Sequence, residues 1–210
     1  AIIFTGAGKG FCAGADLSAG AKSFDADARD DRPSGLNRDG GGILTLRLYD
    51  CLKPVIAAVN GAAVGVGATM QLPMDIRIAS DKARFGFVFA RRGIVPEACS
   101  SWFLPRVVGI SRALEWSYSG KVFGAGEALR GGLVSEVVTT EELLPRARQI
   151  AHEIASETSS ISVTLIRHMM WKMLGADHPM EAHKLDSRGV YHLGRGADAR
   201  DADLSHRGRR

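Results

Sequence analysis

Residues Lys53–Ser80 read KPVIAAVNGAAVGVGATMQLPMDIRIAS. Pro54 ends the helix that precedes it, because it lacks an N–H and its ring clashes with the preceding turn. Val55–Gly61 is a fully apolar strand that closes on Asn60-Gly61, a turn signal. Gly65 and Gly67 follow, and the chain continues into small residues that suit the start of a buried helix. Asp75–Ala79 then alternates polar and apolar with the period of a strand. Strand, glycine turn, short helix and strand in close succession predict an α/β chain.

A similar junction opens the chain. Ala1–Thr5 reads as a short buried strand, and Gly6, Gly8, Gly10 and Gly14 follow within FTGAGKGFCAGAD, Phe4–Asp16. A phosphate loop needs Lys-Ser or Lys-Thr after its last glycine; neither junction has it, and Lys9 is followed by Gly10. A dinucleotide turn needs G-x-G-x-x-G and a later acid at a strand end; the first run is G-x-G-x-G without that acid. Two readings stay open on the residues alone. The glycines permit tight turns and nothing more, or each turn aims one backbone N–H at a shared oxygen.

Farther out, Asp16–Gly42 is polar and rich in Gly, Asp, Arg and Ser, which predicts a long loop. Ile43–Leu52 has helical spacing, with Leu44, Leu48 and Leu52 on one face. Arg84–Phe87 predicts a strand, Ser100–Val108 and Ser111–Gly120 helices, and Gly132–Val138 a short strand. From Glu141 the pattern is helical only, over Glu141–Glu157, Ser162–Leu174 and Ala176–Leu193. The expected organisation is a core over 1–140 and a helical region over 141–210. No repeat of fixed period is visible.

Net charge is +4, but Arg207, Arg209 and Arg210 supply three of those charges, and no basic stripe with interleaved aromatics runs through the body. No nucleic-acid partner is therefore expected. No apolar run reaches the roughly 18 residues of a membrane span, so no membrane partner is expected either. The opening Ala-Ile-Ile-Phe reads as the inside of a strand, with an N-terminal piece absent from this numbering. Cys12, Cys51 and Cys99 are odd in number and form no CxxC pair. Free thiols in a reducing compartment are the expectation, hence a cytoplasmic location and no metal site.

Four blocks occur in order: GKGFCAGADL, the Lys53–Ser80 stretch, FGFVFARRGIVPEACSSWFLPRVVG and GLVSEVV. Together they resemble the crotonase superfamily, the enoyl-CoA hydratase/isomerase family, from Ile2 to about Val138 and more weakly through the helical tail. The resemblance implies an α/β fold, the crotonase-like (ClpP/crotonase) superhelix of β-β-α units with a C-terminal helical oligomerisation region. It implies a homotrimer or hexamer and an acyl-CoA thioester substrate, with coenzyme A arriving as part of the substrate and no separate cofactor. By position it assigns the oxyanion N–H groups to Ala15 and Val66, where the family usually has glycine at the second place. Ala13, Gly14, Asp16, Leu17, Gly65, Gly67 and Phe89 would lie along the CoA thioester. The oxyanion reading of the two glycine turns follows from this resemblance.

The acids then decide the chemistry. Hydratases of this family hold a water between two glutamates, which would fall at Thr69 and Phe89 here, and neither residue is an acid. Glu97, in GIVPEACSS, is the first glutamate of the chain. The resemblance places a glutamate in this Pro-Glu-small-small context in Δ3,Δ2-enoyl-CoA isomerases, where one carboxylate takes a proton from C2 and returns it at C4. Phe87, Phe89 and Trp102 are expected to form the apolar wall that raises its pKa. On the residues alone Glu97 is equally an acid near the N-terminus of the Ser100 helix. Asp16 and Asp75 read as structural, Cys99 as a small buried residue. Ser100 and Ser101 lack a local histidine, since all six lie at 152 or later. Lys22, Arg29, Arg32 and Arg38 are candidates for the CoA phosphates. The ending DARDADLSHRGRR lacks the apolar Phe-Leu anchor of the family. The favoured activity is enoyl-CoA isomerisation; enoyl-CoA hydration, acyl-CoA hydrolysis and a catalytically weak acyl-CoA-binding or assembly protein are the alternatives.

Overall fold

A computed structural model of the chain describes residues 1–16 and 38–196. They form two compact units, the first made of Ile2–Cys51 with Val55–Ala151, the second of Ala1, Leu52–Pro54 and the chain from His152.

The first unit is built by three strand–strand–helix turns. These are β1 (Ile2–Phe4), β2 (Gly10–Cys12) and α1 (Gly40–Tyr49); β3 (Val55–Val59), β4 (Ala62–Val64) and α2 (Val66–Thr69); then β5 (Ile76–Ser80), β6 (Arg84–Gly86) and, after a 3-10 turn at Ala90–Arg92, α3 (Ser100–Val108). α4 (Ile110–Ser119), β7 (Val122–Gly124), α5 (Ala125–Arg130), β8 (Glu136–Val138) and the first part of α6 (Thr140–Glu157) complete it. The leading strands pair as one sheet, β1-β3-β5-β8, and the following strands as another, β2-β4-β6-β7. All pairings are parallel except β6 with β7. This is the crotonase-like superhelix of β-β-α units. Its turns begin at Ile2, Val55 and Ile76, so the loops between them erase any fixed sequence period.

β3 is fully buried because it runs between β1 and β5. Ile56 and Ala58 pack with Ile78 and with Leu143 and Ala147 of α6. A second cluster is aromatic: Trp116 stacks on Phe123 at 4.2 Å and on Phe87 at 6.0 Å. Each such fully buried side chain contributes about 1.5–3 kcal/mol.

Successive turns pack backbone against backbone. A Cβ on Gly61 would sit 2.0 Å from the Lys9 carbonyl oxygen, and one on Gly67 1.9 Å from that of Cys12. Asn60 ties the two junctions together. Its Oδ1 accepts the Gly6 N–H at 2.9 Å, and its Nδ2 donates to the Gly8 and Gly10 carbonyls at 3.0 and 3.2 Å.

Several boundaries differ from the sequence reading. α1 starts at Gly40 rather than Ile43, because Asp39 caps it, its Oδ1 accepting the Gly42 N–H at 2.5 Å. The helix buries Gly42, Thr45 and Leu48, while Leu44 and Leu52 are exposed, so the expected leucine stripe is not its packed face. β2, β4, β7 and α5 were not anticipated; the three strands have three residues each, too few to display a period. α3 spans its predicted residues. A capping box, Thr139 with Glu142, starts α6 one residue early.

The division between the two units falls inside α6, at Ala151/His152. In the second unit α7 (Ser160–Met173) packs on α8 (Pro179–Leu193), with Gly189 facing Met169. Ser159 caps α7 and His178 caps α8, with Pro179 in its first turn. Among the described residues no helix is long and apolar enough to cross a membrane.

Candidate active site

A cavity of about 550 Å³ opens in the first unit. Its floor comes from the ends of β2 and β4, where the chain turns at Gly14 (φ 103°) and Gly65 (φ 56°, ψ −125°). Gly65 has the backbone of the first central position of a type II′ turn, which L-residues avoid. The turns touch, since a Cβ on Gly14 would lie 2.9 Å from the Val64 carbonyl oxygen and 4.0 Å from Gly65 Cα. The residues after these glycines, Ala15 and Val66, both line the cavity. Among the described residues neither backbone N–H has a protein acceptor. Val66 is the first residue of α2, where an N–H has no partner within the helix. Its φ is not positive, so a branched side chain is accommodated where the family usually has glycine.

The same cavity is lined by Glu97 and by the start of α1. Glu97 is half-buried, and its Oε1 accepts the Thr69 hydroxyl at 2.6 Å. Its Oε2 lies against Gly41, where a Cβ would be only 2.5 Å away. Burial pushes the Glu97 carboxyl above its ordinary value; the Thr69 hydrogen bond pulls it down and the Asp39 charge pushes it up again. The carboxyl is held by an unusual backbone. Ala98 and Cys99 are the two non-glycine residues with positive φ among those described, at 53° and 54°. Ser100 closes this turn, its N–H and Oγ both donating to the Glu97 carbonyl at 2.9 and 2.5 Å. Asp39 reaches across from α1, its Oδ1 accepting the Ala98 N–H at 3.1 Å.

Most residues singled out in the sequence meet here. Ala13, Gly14, Ala15, Gly65, Val66, Phe89 and Glu97 line one cavity. Gly67 does not; it is buried against the Cys12 backbone. Asp16 is likewise not among the lining residues, and Leu17, Lys22, Arg29 and Arg32 lie outside the described residues. The expected apolar wall is corrected: Phe89 contributes with Val88 and Ile94, whereas Phe87 is sunk on Trp116, and Trp102 packs on Tyr49 and Phe103 beneath Arg106. Asp75 is structural, accepting the Val55 N–H at 2.8 Å. The three cysteines are free thiols; burial, and then the Asp39 charge, push Cys99 upward, which keeps it a thiol. Ser100 is engaged with the Glu97 carbonyl.

Two residues at the site were missed. Asp39 stands before three glycines, the position of an N-cap, and that signal was available in the sequence. Thr69 entered only as a missing glutamate, yet its hydroxyl meets Glu97. The arrangement can move a proton: one half-buried carboxyl with a raised pKa shares a cavity with two N–H donors that have no acceptor among the described residues.

The family model described as enoyl-CoA hydratase/isomerase matches residues 1–205. An enoyl-CoA hydratase of Alternaria alternata is 44% identical over 191 residues, which is 90% of this chain and 62% of that protein. The chain thus spans about three fifths of that relative's length. The crystal structure of an enoyl-CoA hydratase from Bacillus anthracis superposes with TM-score 0.84 at 31% identity, covering 99% of this chain and 78% of the other. A monofunctional enoyl CoA isomerase from M. smegmatis gives TM-score 0.68 at 32% identity, covering 87% of this chain and 74% of the other. With its stacked β-β-α turns and its match along nearly the whole chain, this protein belongs to the enoyl-CoA hydratase/isomerase family.

Proposed function

We propose that this chain isomerises the double bond of an enoyl-CoA thioester, with Glu97 as the proton shuttle. The observation that carries the reading is the pairing of one half-buried carboxyl, raised in pKa and bonded to Thr69, with two N–H groups that have no acceptor among the described residues, in one cavity. Ionised Glu97 takes a proton from C2 of a 3-enoyl thioester. The electron pair moves toward the thioester oxygen, where the Ala15 and Val66 N–H groups meet the developing negative charge. The protonated carboxyl then delivers its proton to C4, leaving the 2-enoyl thioester and an ionised Glu97. No atom is added or lost, so one acid–base group suffices. Val88, Phe89 and Ile94 give the acyl chain an apolar wall that excludes water.

The test is deuterium exchange at C2 of a 3-enoyl-CoA in D2O, with product analysis, for the protein and its Glu97→Gln variant. Loss of both exchange and isomerisation in the variant is expected; full turnover without the carboxylate would refute the proposal. A second reading, water addition to a 2-enoyl thioester, draws on the hydratase name of the 44%-identical relative. Incorporation of 18O at C3 from labelled water favours that reading over isomerisation. We propose a homotrimer or hexamer as the assembly; exposed Ile166, Met170 and Val190 on α7 and α8 support self-association, and sedimentation measures it.

A further inference from the structure

We propose that Asp39 is the positioning residue for Glu97: its carboxylate clamps the left-handed Ala98–Cys99 turn to the start of α1. Its charge, in the same cavity, also opposes ionisation of the Glu97 carboxyl. The inference rests on the reading of Glu97 as proton carrier. Asp39 and Ala98 are 59 residues apart, and the Oδ1 of Asp39 accepts both the Gly42 N–H and the Ala98 N–H. One atom therefore caps a helix and fixes the residue that follows Glu97. Ala98 and Cys99 sit in a backbone region that non-glycine residues leave unless surrounding contacts hold them. On the Asp39 side that contact is the Ala98 N–H bond; on the other it is the pair of Ser100 bonds to the Glu97 carbonyl. Release the first and the turn can relax toward right-handed backbone, swinging Glu97 off Thr69 and away from Gly41.

The electrostatics act in the same place. Among the described residues the charged side chains lining the cavity are Asp39, Arg92 and Glu97. Of these the Asp39 charge acts on Glu97 and opposes its ionisation, while Arg38, beside Asp39, acts on Cys99. Thr69 supplies the hydrogen bond that favours the charged form. Burial is the leading cause of the raised Glu97 value, and the Asp39 charge adds to it.

Asp39→Ala and Asp39→Asn separate the two effects. Asparagine keeps an acceptor oxygen for Ala98 and for the helix cap but carries no charge; alanine keeps neither. We expect Asp39→Ala to lower kcat about a hundredfold with little change in KM, the scale of an ångström misplacement of a reacting group. Asp39→Asn restores at least tenfold of that loss, while the acidic limb of its rate profile moves to lower pH. The Glu97 titration is read independently, without substrate, by NMR of 13C-carboxyl-labelled glutamate, with Glu97→Gln assigning the resonance. A downward shift in Asp39→Asn supports the tuning role whether or not the protein isomerises enoyl-CoA. If that titration does not move, or if Asp39→Ala turns over as the unmodified protein does, the proposal is overturned. If the titration moves and no proton exchange occurs at C2 in the unmodified protein, the isomerase reading fails and the Asp39 assignment stands.

Discussion

Gly41→Ala is the perturbation that most sharply separates folding from chemistry. A Cβ at Gly41 would lie 2.5 Å from Glu97 Oε2, 3.0 Å from Ala98 Cβ and 3.1 Å from Asp39 Oδ1. Comfortable contact is about 3.5 Å, so the carboxylate oxygen must retreat by roughly 1 Å. It is the tip of a flexible side chain and can do so at small cost. Alanine in place of glycine within a helix contributes up to about 1 kcal/mol, which offsets the tighter contact at Ala98. Stability should therefore change little, while a displacement of about 1 Å at the proposed proton carrier should raise the barrier by ~2.7 kcal/mol, about a hundredfold in rate. Thermal melts and isomerase kinetics on the same preparations test this. Gly40→Ala serves as the folding comparison, because among the described residues nothing beyond its chain neighbours and its own helix backbone lies within 4 Å of its added Cβ. A Gly41→Ala protein with unchanged Tm and unchanged kcat would refute the placement of Glu97 at this helix start.

Thr69→Val removes the hydrogen bond that lowers the Glu97 pKa, so that value rises and the acidic limb of kcat/KM against pH should move to higher pH; a limb that stays put contradicts the bond. Val66→Pro deletes the proposed donor at a helix position where proline is well tolerated, and should cut kcat by about 10²–10³ while the protein stays folded. Equal turnover would remove Val66 from the mechanism. The raised pKa of Glu97 also has a stability consequence. The native state binds this proton more tightly than the unfolded chain, so its contribution is fully present below about pH 4.5 and is lost as pH rises through the folded value. Glu97→Gln should accordingly melt higher than the unmodified protein at pH 7, with the difference vanishing on the acid side of 4.5; a lower Tm at pH 7 would contradict it.

The sequence displayed the long, buried elements best. β3 was legible because five consecutive apolar residues stand between turn signals, and α3 because its amphipathic run has clear ends. β2, β4 and β7 were not, since three-residue strands next to glycines carry no period of their own. Their pairing is decided by the strands beside them, which is tertiary information. The site divides in the same way. Ala15, Val66 and Glu97 were reached through ordered motif blocks, not through local pattern. The contacts that give Glu97 its setting span 28 residues to Thr69, and Asp39 meets Ala98 over 59. No local rule links such pairs. The expected role of Phe87 and Trp102 failed for a related reason: aromatic residues near in sequence to Glu97 found better partners in Trp116 and Tyr49.

The two glycine turns leave neighbouring parallel strands, β2 and β4, of one sheet. The strands that lead to Ala15 and Val66 are spaced as neighbours in a hydrogen-bonded ladder, about 4.8 Å from strand to strand. Side chains have almost no say in it. On the proposed reading, a change of acid in the cavity would leave this pair of backbone groups where the two strands put it. Only an insertion, a deletion or a slipped register at these turns would move it.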